Sequence, residues 1–197
     1  MYVVRHLDFQ LERLTEAVNM LKITGFVKGM NVVEYLNDPV YQKVIENELK
    51  MLVSYHYGVK KLTKLANHYF HWIICGYIIF STLVLSNFVL DITLKDLKDI
   101  PDICIGIYGI VIIYHFVFNE TGENIKIKFE NFYIAVNLAC PWYQWNKENR
   151  RLLLILILQS KETVTLNVSG LIDASRLSTV KIYNNIYTFT TFCRNLK

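Results

Sequence analysis

Apolar and polar positions along this chain fall into blocks of different character. In residues 1–68 they alternate at helical spacing, first in "LERLTEAVNMLK" and again in "VIENELKMLVSYHYGVKKLTKLANHY", the three-and-four recurrence of an amphipathic helix. In the second stretch Leu49, Leu52, Val53, Tyr57, Lys60 and Lys64 keep that spacing past Gly58 and on into the next segment. The clear interruption is "YLNDPVYQ", where Pro39 biases Asp38 out of the helical region.

Periodicity then gives way to continuous greasiness. Residues 70–90, "FHWIICGYIIFSTLVLSNFVL", carry only His71 as a possible charge, and about twenty apolar residues of helix cross a hydrocarbon core. His71 sits beside Trp72 at one end, the place of an interfacial histidine. Residues 103–118, "ICIGIYGIVIIYHFVF", form a second span, and the loop 91–102 makes the pair an antiparallel hairpin. Residues 49–69 hold Lys50, Lys60, Lys61 and Lys64 without an acid, whereas the loop sets Lys95 and Lys98 against Asp91, Asp96, Asp99 and Asp102. Beyond residue 118 come Lys126, Lys128, Lys147, Arg150 and Arg151, so both long flanks are expected on the cytoplasmic side and the loop outside.

The C-terminal segment mixes both patterns. Residues 175–196 span roughly 33 Å as a helix, enough for one crossing. Within them Ser178, Lys181, Asn185, Thr188, Thr191 and Asn195 recur at steps of three or four on one face, with Phe192 on the same stripe. A lysine at mid-membrane costs about 2.5 to 3.5 kcal/mol, so this stripe is expected to face water or protein. The spacing alone fits either an aqueous pathway or helix packing through hydroxyl and amide hydrogen bonds.

Between the spans lies "PWYQWNKENRRLLLILILQSKE". Its seven consecutive aliphatics, residues 152–158, are too few to cross a bilayer and leave no polar face. They are expected to pack against protein on the cytoplasmic side, in this chain and in neighbouring subunits, which makes oligomerisation the expectation. Asn146 is the expected N-cap, with Glu148 in the first turn.

Composition supports the membrane reading: 53% of the 197 residues are hydrophobic and 14% aromatic, against about 45 to 50% apolar in ordinary soluble domains. The net charge of +4 comes from 21 basic and 17 acidic side chains spread along the chain, leaving no basic block for nucleic acid. Cys75, Cys104, Cys140 and Cys193 form no CxxC pair and no metal spacing, so free buried thiols are expected. His56, His68, His71 and His115 lie scattered, with no nucleophile-base spacing, and neither an enzyme nor a cofactor is expected. Asn119-Glu-Thr and Asn167-Val-Ser match the glycosylation pattern but fall on the cytoplasmic side of this topology, where they stay unmodified.

A series of motifs follows in order: Gly122-Glu123, Trp142-Tyr143, Arg-Arg-Leu-Leu-Leu from Arg150, Gln159-Ser160-Lys161, Thr165-Leu166 and the aromatic-rich residues 187–194. Their order and spacing resemble the C-terminal signature of insect odorant receptors over about the last 130 residues, and residues 1–69 resemble that family's cytoplasmic linker after the fourth span. Tyr187 and Asn195 stand in place of the gustatory receptors' TYxxxxxQF ending, which favours the odorant branch. "NVSGLIDASRLS" departs from the lysine and aromatics usual before the last helix.

The resemblance implies an all-α membrane protein with three transmembrane helices plus cytoplasmic anchor helices, corresponding to the C-terminal half of a seven-helix receptor channel. It divides as 1–69 cytoplasmic linker and anchor, 70–90 span, 91–102 extracellular loop, 103–118 span, 119–174 cytoplasmic anchor and 175–197 pore-lining helix with its end outside. The first four spans of the family are then missing, as in a fragment.

As function, the resemblance implies an odorant-gated, non-selective cation channel subunit of olfactory sensory neurons. It would assemble as a hetero-tetramer with the odorant receptor coreceptor in the dendritic plasma membrane. Pore and gate would fall on Phe192, Asn195, Leu196, Thr188 and Asn185, with the Phe192 ring closing the pore by dewetting. The surviving part of the odorant pocket would be Tyr108, Ile107, Val111 and Ile112, although the residues themselves favour an interhelical packing aromatic at Tyr108 over a ligand contact. Subunit anchoring would fall on Trp142, Tyr143, Arg150, Leu153 and Leu156. Lys181 would face a side vestibule or pair with Asp173. The alternatives are a non-conducting structural membrane fragment and a gustatory-type receptor.

Overall fold

The computed structural model describes residues 2–26, 32–94, 100–139, 141–168 and 172–195. Cys140, Leu196 and the loop positions Lys95, Asp96, Lys98 and Asp99 lie outside the described residues. The order is α1 Tyr2–Phe26, α2 Val32–Asn37, α3 Pro39–Leu94, α4 Asp102–Ala139, a 3-10 turn Trp142–Gln144, α5 Lys147–Lys161, β1 Asn167–Val168, β2 Ile172–Asp173 and α6 Arg176–Asn195. The fold is all-α except for the antiparallel β1–β2 ladder, which pairs Asn167 with Asp173 and Val168 with Ile172.

The interruption at Pro39 is where expected. Asp38 Oδ1 accepts from the backbone N–H groups of Val40 at 2.8 Å and Tyr41 at 3.1 Å, the geometry of an N-cap. Pro39, with no N–H to satisfy, opens α3 at the position proline tolerates best. Gly58 does not break α3, which then continues through residues 70–90 without interruption.

The chain divides into two compact units, Met1–Ala66 with Ile125–Val164 and Asn67–Asn124 with Thr165–Lys197. In the first, each helix buries a stripe at steps of three and four: Leu7, Leu11, Leu14, Val18 and Leu21 of α1, and Ile125, Phe129, Phe132 and Val136 of α4. On α3 the buried stripe is Ile45, Leu49, Leu52, His56, Val59 and Thr63. Tyr57, which shares the helical spacing, lies outside this stripe and is exposed. Lys128 of α4 pairs with Asp8 and Glu12 of α1, and Lys60 of α3 pairs with Glu162 after α5 at 2.5 Å.

His56 is fully buried, stacked on Phe132 with ring centroids 5.0 Å apart and edge-on to Phe129 at 6.2 Å. Burial, with Lys60 adding to it, lowers its pKa to about 4.

In the second unit Leu85 of α3, Val111 of α4 and Ile186 of α6 form a core flanked by Val84, Val89, Ile112, Ile182 and Tyr183. Ile78 and Ser81 of α3 and His115 and Asn119 of α4 are buried as well, but much of the remaining surface of these two helices is uncovered. Ile73 and Leu83 of α3 and Ile103 and Ile113 of α4 are exposed. Within the most apolar window of each helix, only 11% of α3 and 17% of α4 is buried. The core helix of a soluble domain would be mostly covered, whereas this uncovered apolar surface suits a lipid surround. At 56 and 38 residues, α3 and α4 run roughly 84 and 57 Å, well beyond the ~30 Å hydrocarbon layer.

Of the three expected spans, α3 and α4 qualify by length and apolarity. The third, α6, has 20 residues, or roughly 30 Å, but its polar stripe keeps it from qualifying by composition. The thiols of Cys75, Cys104 and Cys193 are free but only half-buried. They were expected to be buried, and their helices have too few neighbours in this chain to cover them.

The buried imidazole gives the first unit a pH dependence. Above the ordinary histidine pKa of 6.5 the ring is neutral whether the chain is folded or not. Between 6.5 and about 4 the unfolded chain takes up a proton that the folded one refuses, so stability falls as pH drops, by up to about 3 kcal/mol. Denaturant unfolding of the detergent-solubilised protein across that range measures it, and His56→Phe should flatten the slope. The same slope in the variant would place the proton uptake elsewhere.

Candidate functional site

Helix α6 has two faces. Thr179, Ile186 and Thr190 are buried, with Ile182 and Tyr183 half-buried beside them. On the opposite side Lys181, Asn185, Thr188, Thr191, Phe192 and Asn195 are all exposed, and Ser178 lies at the edge. The threonine hydroxyls donate back along their own helix, Thr188 to Asn184 O and Thr191 to Tyr187 O, both at 2.9 Å. Their lone pairs stay outward while the proton is satisfied. Phe192, towards the C-terminal end of this row, is 60% exposed. The stripe therefore faces away from the rest of the second unit, and Ser, Thr and Asn packing within that unit does not account for it.

The foot of α6 is tightly held. Ser175 is its N-cap, accepting from Ser178 N–H at 3.2 Å. The Arg176 guanidinium grips both carboxylate oxygens of Glu120 on α4, and the Arg176 backbone N–H donates to Glu123 Oε2 at 3.3 Å. Through this pairing the Arg176 charge holds the Glu120 carboxyl below the usual carboxylate range. The suggested Lys181–Asp173 pair does not form; Asp173 Oδ1 instead accepts from Thr165 Oγ1 at 3.0 Å. Asp173 belongs to the ladder, which the Thr165 contact tightens.

The four pocket candidates on α4 do not face one space. Tyr108 donates to Asp91 Oδ2 on α3 at 2.8 Å and packs on Phe88, centroids 4.7 Å apart. Val111 is in the core, Ile112 packs against that core, and Ile107 is exposed. One turn further along α4, His115 is buried between the rings of Tyr77, at 6.4 Å, and Tyr183, at 6.0 Å.

The five anchor candidates lie together in the first unit. Arg150 donates to the carbonyl oxygens of Trp142, Tyr143 and Trp145 at 3.1, 3.2 and 2.7 Å, and its guanidinium lies 5.9 Å from the Trp142 ring centre. Trp145 is fully buried, whereas Trp142 and Tyr143 are exposed. Asn146 caps α5, accepting from Asn149 N–H at 2.8 Å. Gln42 of α3 ties this corner down, accepting from Asn149 Nδ2 and Asn146 N–H at 2.9 Å and donating to the carbonyls of Tyr35 and Gln144. Leu153 and Leu156 are buried, but Leu154, Ile155 and Leu158 are exposed. This chain shields one face of the aliphatic run and leaves the other open, and the expected cover from neighbouring subunits is not tested by a single chain.

Sequence reasoning missed Gln42, His56, His115 and the Glu120–Arg176 pair. The signal available was a polar residue at an inward step of an apolar stripe, as at Val111, His115, Asn119, Gly122 and Ile125 on α4.

Two long, lipid-compatible helices and a third with a polar stripe define a helical membrane protein. The family model described as 7tm Odorant receptor matches residues 1–187 of the 197. The chain belongs to the odorant receptor family. That match takes in residues 1–69, where the motifs are weaker. No curated protein matches the chain. The family is not an enzyme family, and the ligands it implies are odorants.

Arg150→Ala removes the donor to three carbonyls and should lower the stability of the first unit by about 1 to 3 kcal/mol. A thermal melt of the purified protein checks this, and an unchanged midpoint would show that the turn stands without Arg150.

Proposed function

We propose that this chain is a subunit of an odorant-gated, non-selective cation channel, with α6 lining a pore shared among subunits. The observation that carries this reading is the exposed row Lys181, Asn185, Thr188, Phe192 and Asn195 on the side of α6 opposite its buried face. In hydrocarbon a lysine and two asparagines on an outward face are costly, whereas they are at ease along a water-filled conduit. Phe192 is the gate in this reading, a ring whose apolar surface empties the narrow section of water, and Asn195 and Leu196 flank it.

Residues 70–90, 103–118 and 175–197 are the spans, with 91–102 and the C-terminus outside and 1–69 and 119–174 in the cytoplasm. The anchor residues Trp142, Tyr143, Arg150, Leu153 and Leu156 belong to the cytoplasmic assembly region, where Leu154, Ile155 and Leu158 meet another subunit. The partner is the odorant receptor coreceptor, in a hetero-tetramer at the plasma membrane of the olfactory neuron dendrite. Ile107, Tyr108, Val111 and Ile112 form the odorant-facing part of α4, and Tyr108, bonded to Asp91, reports ligand binding to α3.

The test is current in cells expressing the chain with a coreceptor subunit, challenged with a mixture of short-chain alcohols, aldehydes and acetate esters. Phe192→Ala should raise the resting cation current roughly tenfold, the effect of removing about 1.4 kcal/mol of barrier, and Asn195→Ala should change ion permeability. Unchanged currents and permeability in both variants would sink the pore assignment. Water-soluble thiol reagents should reach cysteines placed at 178, 185 and 192.

A further inference from the structure

Gly122 sits in the middle of α4, where glycine costs about 1 kcal/mol relative to alanine. The structure supplies a reason: a Cβ there would collide with the carbonyl oxygen and Cβ of Ala174, two residues before α6 begins. On either side of this approach, Glu120 receives the Arg176 guanidinium and Glu123 receives the first backbone N–H of α6. The chain leading in is tied as well. Ala174 N–H donates to Leu166 O at 2.8 Å, and Asn67 of α3 donates to Thr165 O at 2.7 Å.

We propose that Gly122 and the Glu120–Arg176 pair are positioning residues that lock the foot of α6 to α4, so that movement of α4 turns the polar stripe of α6. The turning of a pore rests on the channel reading above; the lock itself does not. Backbone packed against backbone leaves no flexible side chain to absorb a displacement, and packed interfaces switch between arrangements rather than yield gradually. The ion pair is solvent-exposed on both partners. Such a pair contributes little to stability, so its loss should leave the protein folded. What it supplies is direction, since a guanidinium fork on two oxygens fixes the rotation of α6 about its own axis.

The experiment follows the position of α6 and current separately. In cells expressing the chain with a coreceptor subunit, the rate at which a water-soluble thiol reagent modifies Asn185→Cys is measured above that of the Asn185 parent, with surface biotinylation as the folding control. Glu120→Arg and Arg176→Glu should each change the rate about fivefold or more, Gly122→Val should do the same, and the double exchange E120R with R176E should restore it to within about twofold. If either reversal fails to reach the surface, Glu120→Gln and Arg176→Gln replace it under the same threshold. Unchanged rates in the single variants, or an exchange that restores nothing, overturn the lock. Current evoked by the alcohol, aldehyde and ester mixture is recorded in the same cells. If labelling follows the exchange while the parent passes no current, the lock stands and the channel reading falls.

Discussion

One constraint governs this chain: α3 and α4 are single unbroken helices that must satisfy two different surroundings. Over residues 39–66 of α3 and 125–138 of α4, the exterior mixes ion-paired residues such as Lys43, Glu46, Lys50, Lys126 and Glu130 with exposed apolar ones such as Val40, Met51 and Leu138. Over the apolar windows the exterior is as greasy as the seam, and little of it is covered. A helix satisfies its own backbone at any depth, so the change of solvent along its length needs only a change of side chains. Each of the two helices thus contributes to both units, with its lipid-compatible stretch in the second.

That arrangement makes the inward stripe of α4 the continuous element. It runs from Val111 through His115, Asn119 and Gly122 to Ile125, Phe129, Phe132 and Val136. Its character shifts on the way: aliphatic at the core with Leu85 and Ile186, polar beside Tyr77 and Tyr183, without a side chain where Ala174 approaches, and aromatic where His56 is enclosed. The β1–β2 ladder lies just before α6, pairing Asn167 with Asp173 and Val168 with Ile172. Membership of the odorant receptor family gives these features a common context, since a receptor of this kind has to carry a signal from a bound odorant to another part of the molecule.

Much of the architecture was legible in residue patterns. The Pro39 break, the Asn146 cap and the long apolar stretches of α3 and α4 all come from local chemistry: a fixed proline φ, a short amide that accepts a backbone proton, and too many consecutive apolar side chains for water. The site was less legible. His56 and Thr63 hold inward places that a hydrophobicity pattern assigns to apolar residues, so the stripe of α3 is not legible from apolarity alone. Glu120 and Arg176 are 56 positions apart, and no local rule pairs them. The aliphatic run on α5 was read correctly as apolar on every side, yet the number of sides this chain covers depends on its neighbours and not on the run itself.

The uncovered edge of α5 has a bearing on the life of the protein before it reaches its destination. Leu154, Ile155 and Leu158 make a sticky strip on the water-compatible unit, and exposed apolar strips are what chaperones and degradation machinery bind. A copy whose strip stays open therefore offers that machinery a handle, so folding of the unit and concealment of its apolar edge are separate conditions for a long-lived chain.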